Sequence, residues 1–279
     1  MSEAAVHARR AAIDAAVAAV RDRCGVVPDV AVLWPTHTRA LPDMLAIDTE
    51  IDASDIPHLL PPGDSDGGRL LVGTLEERPV AVLQARLRRY AGHTLQQVAF
   101  PVYVLRALGA DTLVVASACA VLVPTWAAAE LMLVDDHINL LGDNPLVGPN
   151  LDDRGPRFPD MSVAYDARLR RLAERVALEQ RIVLRRGVYA ALEGPNRPTR
   201  AEYGMLRAMG ADATGTGLVA EVIAARHMSM RVLGLGMIVQ VALPDALEAL
   251  TDGQADAAVT AAEPRLVALL RGVVAELNS

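Results

Sequence analysis

The stretch from Val134 to Asp166 constrains this chain more than any other. Pro145, Pro149, Pro156 and Pro159 each fix φ, while Gly142, Gly148 and Gly155 are free to take positive φ. Asp136, Asn139, Asn144 and Asn150 supply side chains that satisfy loop backbone. The pattern predicts a long, ordered loop. A loop this long and stiff inside an otherwise regular chain is usually functional or an interface.

On either side of it the sequence alternates strand and helix patterns. Ala4 to Arg21 predicts an amphipathic helix with Val6, Ile13, Val17 and Val20 on one face. Strands are predicted at Asp29 to Trp34, Gly68 to Leu75, Val80 to Gln84, Leu113 to Ala118, Gly187 to Glu193 and Val232 to Val239. Helices are predicted at Leu95 to Leu108, Ala164 to Glu179, Thr199 to Met209 and Ala255 to Leu277. Thr199 with Glu202 three residues on reads as a capping box, and Gly109 as a helix stop. Thr112 to Ala129 carries no charge, but Pro124 breaks it and its first half is β-branched. It reads as a core strand plus a loop, not a membrane span. The alternation implies an α/β sheet with helices on both faces. With 279 residues and no clear linker, a single domain over residues 1–279 is expected.

Aromatics make up only 3% of a chain that is 52% hydrophobic, so Ala, Val and Leu must build the core. All 27 basic residues are arginine, and the net charge of -7 argues against a nucleic-acid partner. Cys24 and Cys119 are too few for a disulfide framework and suit a reducing cytoplasm. Glu3, Arg9, Arg10 and Asp14 interrupt any apolar leader. No His/Cys/Asp cluster has metal spacing, and no phosphate-loop or dinucleotide fingerprint occurs. No metal, cofactor or membrane partner is therefore expected.

The long loop spells Asp136-His137-Ile138-Asn139-Leu140, then Asn144-Pro145-Leu146 and Gly148-Pro149-Asn150, then Arg157-Phe158-Pro159-Asp160-Met161-Ser162 and Ala164-Tyr165-Asp166. Phe100-Pro101-Val102, Met205-Leu206-Arg207, Gly210-Ala211-Asp212-Ala213, Glu221-Val222-Ile223 and Ala225-Arg226-His227 fall in order around it. In these pieces the chain resembles the trimeric purine nucleoside phosphorylases from about Asp29 to its C-terminus. The resemblance implies a nucleoside-phosphorylase-like α/β domain, a central mixed sheet flanked by helices, a homotrimer, and small-molecule sites near subunit boundaries.

Several positions that the resemblance makes functional are replaced. The family's Gly-Ser-Gly phosphate loop reads Trp34-Pro35-Thr36-His37, and a proline donates no N–H. In Ala85 to Gly92 the family's arginine and tyrosine remain as Arg86 and Tyr90, while Arg88 stands for a histidine and Ala91 for an acid. The Asn-Ala-Ala-Gly-Gly turn reads Ser117-Ala118-Cys119-Ala120-Val121. The purine-reading glutamate falls on Pro198, the Met-Ser-Thr turn on Thr216-Gly217-Leu218 and the purine-bonding asparagine on Gln240. Two histidines fall on Asp66 and Asp252, and two aromatic wall residues on Arg197 and Arg154. One lost charge-stabilising donor costs about a hundred- to a thousandfold in turnover.

These replacements predict a chain that is not an ordinary purine phosphorylase. The expectation is a re-purposed enzyme acting on a small anionic or nucleoside-like metabolite. A non-catalytic binding or scaffold protein and a phosphorylase of altered specificity stand as alternatives. Arg86 is the candidate anion clamp, and Asp66 and His37 are candidate proton-transfer groups. Thr36, Arg88, Tyr90, Ala118, Arg154, Arg197, Thr216 and Gln240 are candidate ligand contacts. Arg86, Arg88, Arg197 and a neighbour's Arg154 are expected to converge on the anion, or else to pair with acids such as Asp152 and Asp153. Cys119 reads as a small core thiol rather than a nucleophile.

Overall fold

β-branched and apolar runs become strands, and capped, periodic runs become helices. The computed structural model describes residues 3–35, 40–60, 68–84 and 86–277. Among these the order is α1 (Glu3–Arg21), β1 (Val30–Leu33), β2 (Ala46–Asp52), β3 (Arg69–Leu75), β4 (Arg78–Leu83), α2 (Leu95–Leu108), β5 (Thr112–Val121), β6 (Leu131–Asn139) and α3 (Ala167–Glu179). There follow β7 (Leu184–Ala191), α4 (Arg200–Ala208), β8 (Ala213–Gly215), α5 (Val219–His227), β9 (Arg231–Val241) and α6 (Asp252–Ala275). The fold is α/β, as the alternation predicts, and its sheet is mixed, as the resemblance implies.

Contacts group the chain into two compact units. The first takes Met1–Val115, Asp143–Ala164 and Ala220–Val232. Its strands run in the order β2-β3-β4-β1-β5. β1 lies parallel to β4 and β5, and β3 lies antiparallel to β2 and β4. All four residues of β1 are buried, as an interior parallel strand requires. Glu76 (φ 50) and Glu77 (φ 63) make the tight β3–β4 turn in the left-handed region. α1 buries Ile13, Ala16, Val17 and Val20. α2 starts at a Thr94–Gln97 capping box and stops at Gly109.

The second unit takes Ala116–Gly142, Tyr165–Val219 and Leu233–Ser279. Its order is β5-β8-β7-β6-β9, and β5 also pairs with β9, so these strands close on themselves. β7 is parallel to β6 and β8, while β8 is antiparallel to β5 and β9 to β6. Leu122, Ala190, Tyr203, Leu206, Ala211 and Ala242 form one buried cluster here.

The sequence-based bounds need several corrections; β7, for one, runs Leu184–Ala191 rather than Gly187 to Glu193. Val134 to Asn139 belongs to strand β6, so only residues 140–166 lack helix and strand. β2, β8 and α5 are elements that the sequence patterns do not predict. α3 begins at Ala167, where Asp166 accepts from the amides of Arg168 and Leu169. α6 begins at Asp252 behind a Thr251–Gln254 capping box. Among the described residues, no helix is long and apolar enough to cross a membrane.

Candidate active site

Arg86 follows β4 and its side chain is 1% exposed. Its Nη2 donates to Glu221 Oε1 at 2.7 Å and its Nε donates to the same oxygen at 3.2 Å. A guanidinium so deeply buried must be paired. Glu221 sits in the first turn of α5, where the helix dipole favours a carboxylate. Arg86 is therefore no surface arginine. Trp34, directly after β1, is fully buried. Arg88 is half-buried and precedes the short turn Arg89–Ala91, and Tyr90 is exposed. Thr36, His37 and Asp66 lie outside the described residues.

The segment 140–166 is held by its own amides and carboxylates. Asn144 Oδ1 accepts from Leu146 N at 2.9 Å, and Asp160 Oδ1 accepts from Ser162 N at 2.9 Å. Asn150 Nδ2 donates to Asp152 Oδ1 at 2.8 Å and to the Gly155 carbonyl at 2.9 Å. Its Oδ1 therefore accepts from His227 Nε2, 3.0 Å away, which leaves His227 Nδ1 to accept from Tyr103 O–H at 3.2 Å. Burial, then the nearby Arg9 guanidinium, hold this imidazole below its ordinary value. Only glycine fits at 155, because an added Cβ would collide with the His227 carbonyl oxygen. Arg154 pairs with Asp14 and Asp153, both at 3.3 Å. Phe158 is 87% exposed, with the Arg157 guanidinium 5.8 Å from its ring centre.

A cleft of about 480 Å³ opens in the first unit beside α1 and the start of α2, with Arg9, Ala12, His58, Gln97, Phe100 and Pro149 among its walls. Among the described residues, none of the candidate site residues lines it. Arg86 is not among the residues lining this cleft, and the buried charge is the better guide to chemistry.

In the second unit, Ala118 sits exposed on β5, and its carbonyl lies 3.0 Å from where a Cβ on Gly215 would stand. Tyr189 Oη crowds the same point and accepts from Gly217 N at 3.4 Å. The structure thus brings Ala118 to the turn that carries Thr216, and only glycine fits at 215. Gln240, on β9, donates from Nε2 to the Glu248 carbonyl at 2.8 Å. Arg197 is exposed and donates to the Leu250 carbonyl and to Asp252 Oδ1. Arg154 and Arg197 thus each have acid partners. His137 Nδ1 meets Tyr165 Oη at 3.0 Å, and burial lowers its pKa. Burial pushes the Cys119 thiol up to about 12, which removes the thiolate that a nucleophile needs.

The model of the phosphorylase superfamily matches residues 39–275. Purine nucleoside phosphorylase 1 of Bacillus subtilis is 40% identical over 228 residues, covering 81% of this chain and 84% of that protein. The bovine purine nucleoside phosphorylase is 40% identical over 226 residues, 78% of each chain. The chain belongs to the purine nucleoside phosphorylase family. A solved schistosome purine nucleoside phosphorylase in complex with hypoxanthine superposes with a TM-score of 0.90 at 29% identity, covering 96% of this chain and 97% of that one. The Schistosoma mansoni enzyme in complex with inosine gives 0.89 at 28% identity, covering 96% of each chain.

These relatives overturn the expectation of a re-purposed enzyme for an anionic metabolite, or of a scaffold protein. About 40% identity across four-fifths of the chain outweighs a short series of replaced positions. A physical reason lies in how such sites are built. Arg86, which the family also carries, is retained and buried against Glu221, so the replacements around it leave its charge in place.

Proposed function

We propose that this member of the family is itself a purine nucleoside phosphorylase, transferring the pentose of a purine nucleoside from its base to inorganic phosphate. The identity to the Bacillus subtilis phosphorylase over 84% of that protein carries this reading. The buried Arg86 supports it, since a desolvated guanidinium is a strong partner for a phosphate oxygen. In this reading Arg86 holds phosphate, with Thr36, Arg88 and Tyr90 as further contacts. The Ala118 backbone and the Thr216–Gly217 turn contact the nucleoside, and the Gln240 amide, both donor and acceptor, reads the base. His37 and Asp66 are the proton-transfer groups. As the glycosidic bond opens, positive charge grows on the sugar and negative charge on the base, so fixed dipoles and charges at both lower the barrier. The 279 residues act as one domain, in a cytoplasmic homotrimer.

A coupled assay with inosine and guanosine tests the activity. At saturating phosphate, turnover in the range of roughly 1–1000 per second is expected, with none when phosphate is omitted. Phosphate-dependent turnover absent for both nucleosides overturns the reading. Light scattering should give three times the chain mass at micromolar concentration, and a monomer mass overturns the trimer.

A further inference from the structure

The buried pair of Arg86 and Glu221 joins residues 135 positions apart. Both side chains are almost wholly shielded, at 1% and 3% exposure. Arg86 Nε and Nη2 both point at one oxygen, Glu221 Oε1. Two donors aimed at one acceptor fix the plane of the guanidinium as well as its position. The other oxygen, Oε2, is buried and has no hydrogen-bond partner among the described residues. A carboxylate half-satisfied in this way is costly for stability alone, since a well-packed apolar pair of similar volume often serves the fold as well or better. A reason for it beyond packing is therefore called for.

The scaffold holding Glu221 is correspondingly stiff. α5 has nine residues, Val219–His227. Glu221 lies in its first turn, while His227 at its last residue is bonded to Tyr103 and Asn150. The helix cannot slide at its C-terminal end without breaking both bonds. Its dipole stabilises the carboxylate at the other end. A short helix pinned in this way delivers Glu221 Oε1 to one place.

We infer that Glu221 is a positioning residue for phosphate. It holds the Arg86 guanidinium in the plane and at the depth at which that group receives the anion, and touches neither nucleoside nor phosphate itself. This rests on the proposed phosphorolysis, with Arg86 as the phosphate group. A carboxylate this close also keeps an empty site electrically balanced, so Arg86 is not an unpaired buried charge between turnovers.

The test is steady-state kinetics of the full-length protein with inosine, varying inosine and phosphate separately, for wild type, E221Q, E221D, R86Q and R86Q/E221Q. E221Q keeps the shape and one weaker acceptor. Its KM for phosphate should rise tenfold or more while its KM for inosine stays within twofold. E221D keeps the charge but withdraws the oxygen by one methylene, and its KM for phosphate should fall between wild type and E221Q. R86Q/E221Q should be no worse than R86Q alone, because the effect of Glu221 passes through Arg86. Melting curves establish which variants are folded. Should E221Q prove unfolded at the assay temperature, E221D and the double variant decide the matter. A phosphate KM unchanged in folded E221Q or E221D, equal rises in both KM values, or an additive double variant overturns the inference and leaves the proposed activity standing. Wild type that turns over no nucleoside overturns both.

Discussion

Two arginine–glutamate pairs in this protein have nearly the same chemistry and opposite surroundings. In the first unit, Arg86 Nε and Nη2 converge on one oxygen of Glu221, and both side chains are sealed from water. In the second unit, Arg185 Nε and Nη2 reach the two oxygens of Glu130 at 2.8 and 3.0 Å, a fork-to-fork pair. Its side chains are 33% and 18% exposed. The Arg185 pair has the better hydrogen-bond geometry and holds the Glu130 carboxyl below its usual value. Geometry does not decide which pair matters. Losing a partner in water costs little, because water replaces it. Losing a partner in the interior strands a charge that nothing replaces.

Breaking the buried pair should show the largest effect. E221A should destabilise the fold by about 3–5 kcal/mol, read as a lower urea midpoint. A change below about 1 kcal/mol would place Glu221 and Glu130 in the same class and end the contrast.

Next come two imidazoles, His227 buried and His137 partly buried. Y103F removes the hydroxyl that donates to His227 Nδ1 and leaves that nitrogen unsatisfied, which should cost about 1–3 kcal/mol. Y165F removes the partner of His137 Nδ1 and should act in the same direction. Equal stability of Y103F and wild type would show that water enters the site.

A pH series sharpens the same point. Burial is the leading cause that lowers both His227 and His137 below the ordinary value of 6.5. The unfolded chain then binds more protons than the folded one just below that value. Stability should be full above about pH 6.5 and decline as pH falls toward the lowered folded values. Denaturation midpoints at pH 7.5 and 5.5 measure this, and H227Q and H137Q should each flatten the slope. A midpoint that rises on acidification would reverse the sign and refute neutral imidazoles.

The smallest effect is expected at the partly exposed pair. E130Q should shift stability by no more than about 1 kcal/mol, and its phosphorolysis kinetics should match wild type. A loss as large as that of E221A would show that exposure is a poor guide to the worth of a pair in this fold.

What could be read from sequence was local. The helix start at Thr199 carries its cap within three residues, and the strand at Val30 is an uninterrupted apolar run. Val134 to Asn139 of β6 reads as loop because Asp135, Asp136, His137 and Asn139 look polar. The strand's first four residues are nonetheless buried, and the remainder pairs with β7. α5 escaped notice because both its faces are covered, which erases the amphipathic period. β8 has three residues, too few for any period to show. For the site, Arg86 was legible through its motif, but Glu221 was not. No local pattern links two residues so far apart in the chain. The replaced positions misled for a related reason: the letters at Pro198 or Gly217 describe side chains and say little about what neighbouring backbone supplies.

Cys119 has a practical consequence. Its thiol is sealed against the Met237 carbonyl and the backbone of Gly236, and burial raises its pKa to about 12. Cys24 is buried as well. Thiol reagents at neutral pH therefore find almost no reactive sulfur in the folded chain. Modification waits for the closed ring of strands around Cys119 to open, so its labelling rate becomes a clock for that opening. Free in solution, the protein would carry a built-in gauge of how often its second unit breathes.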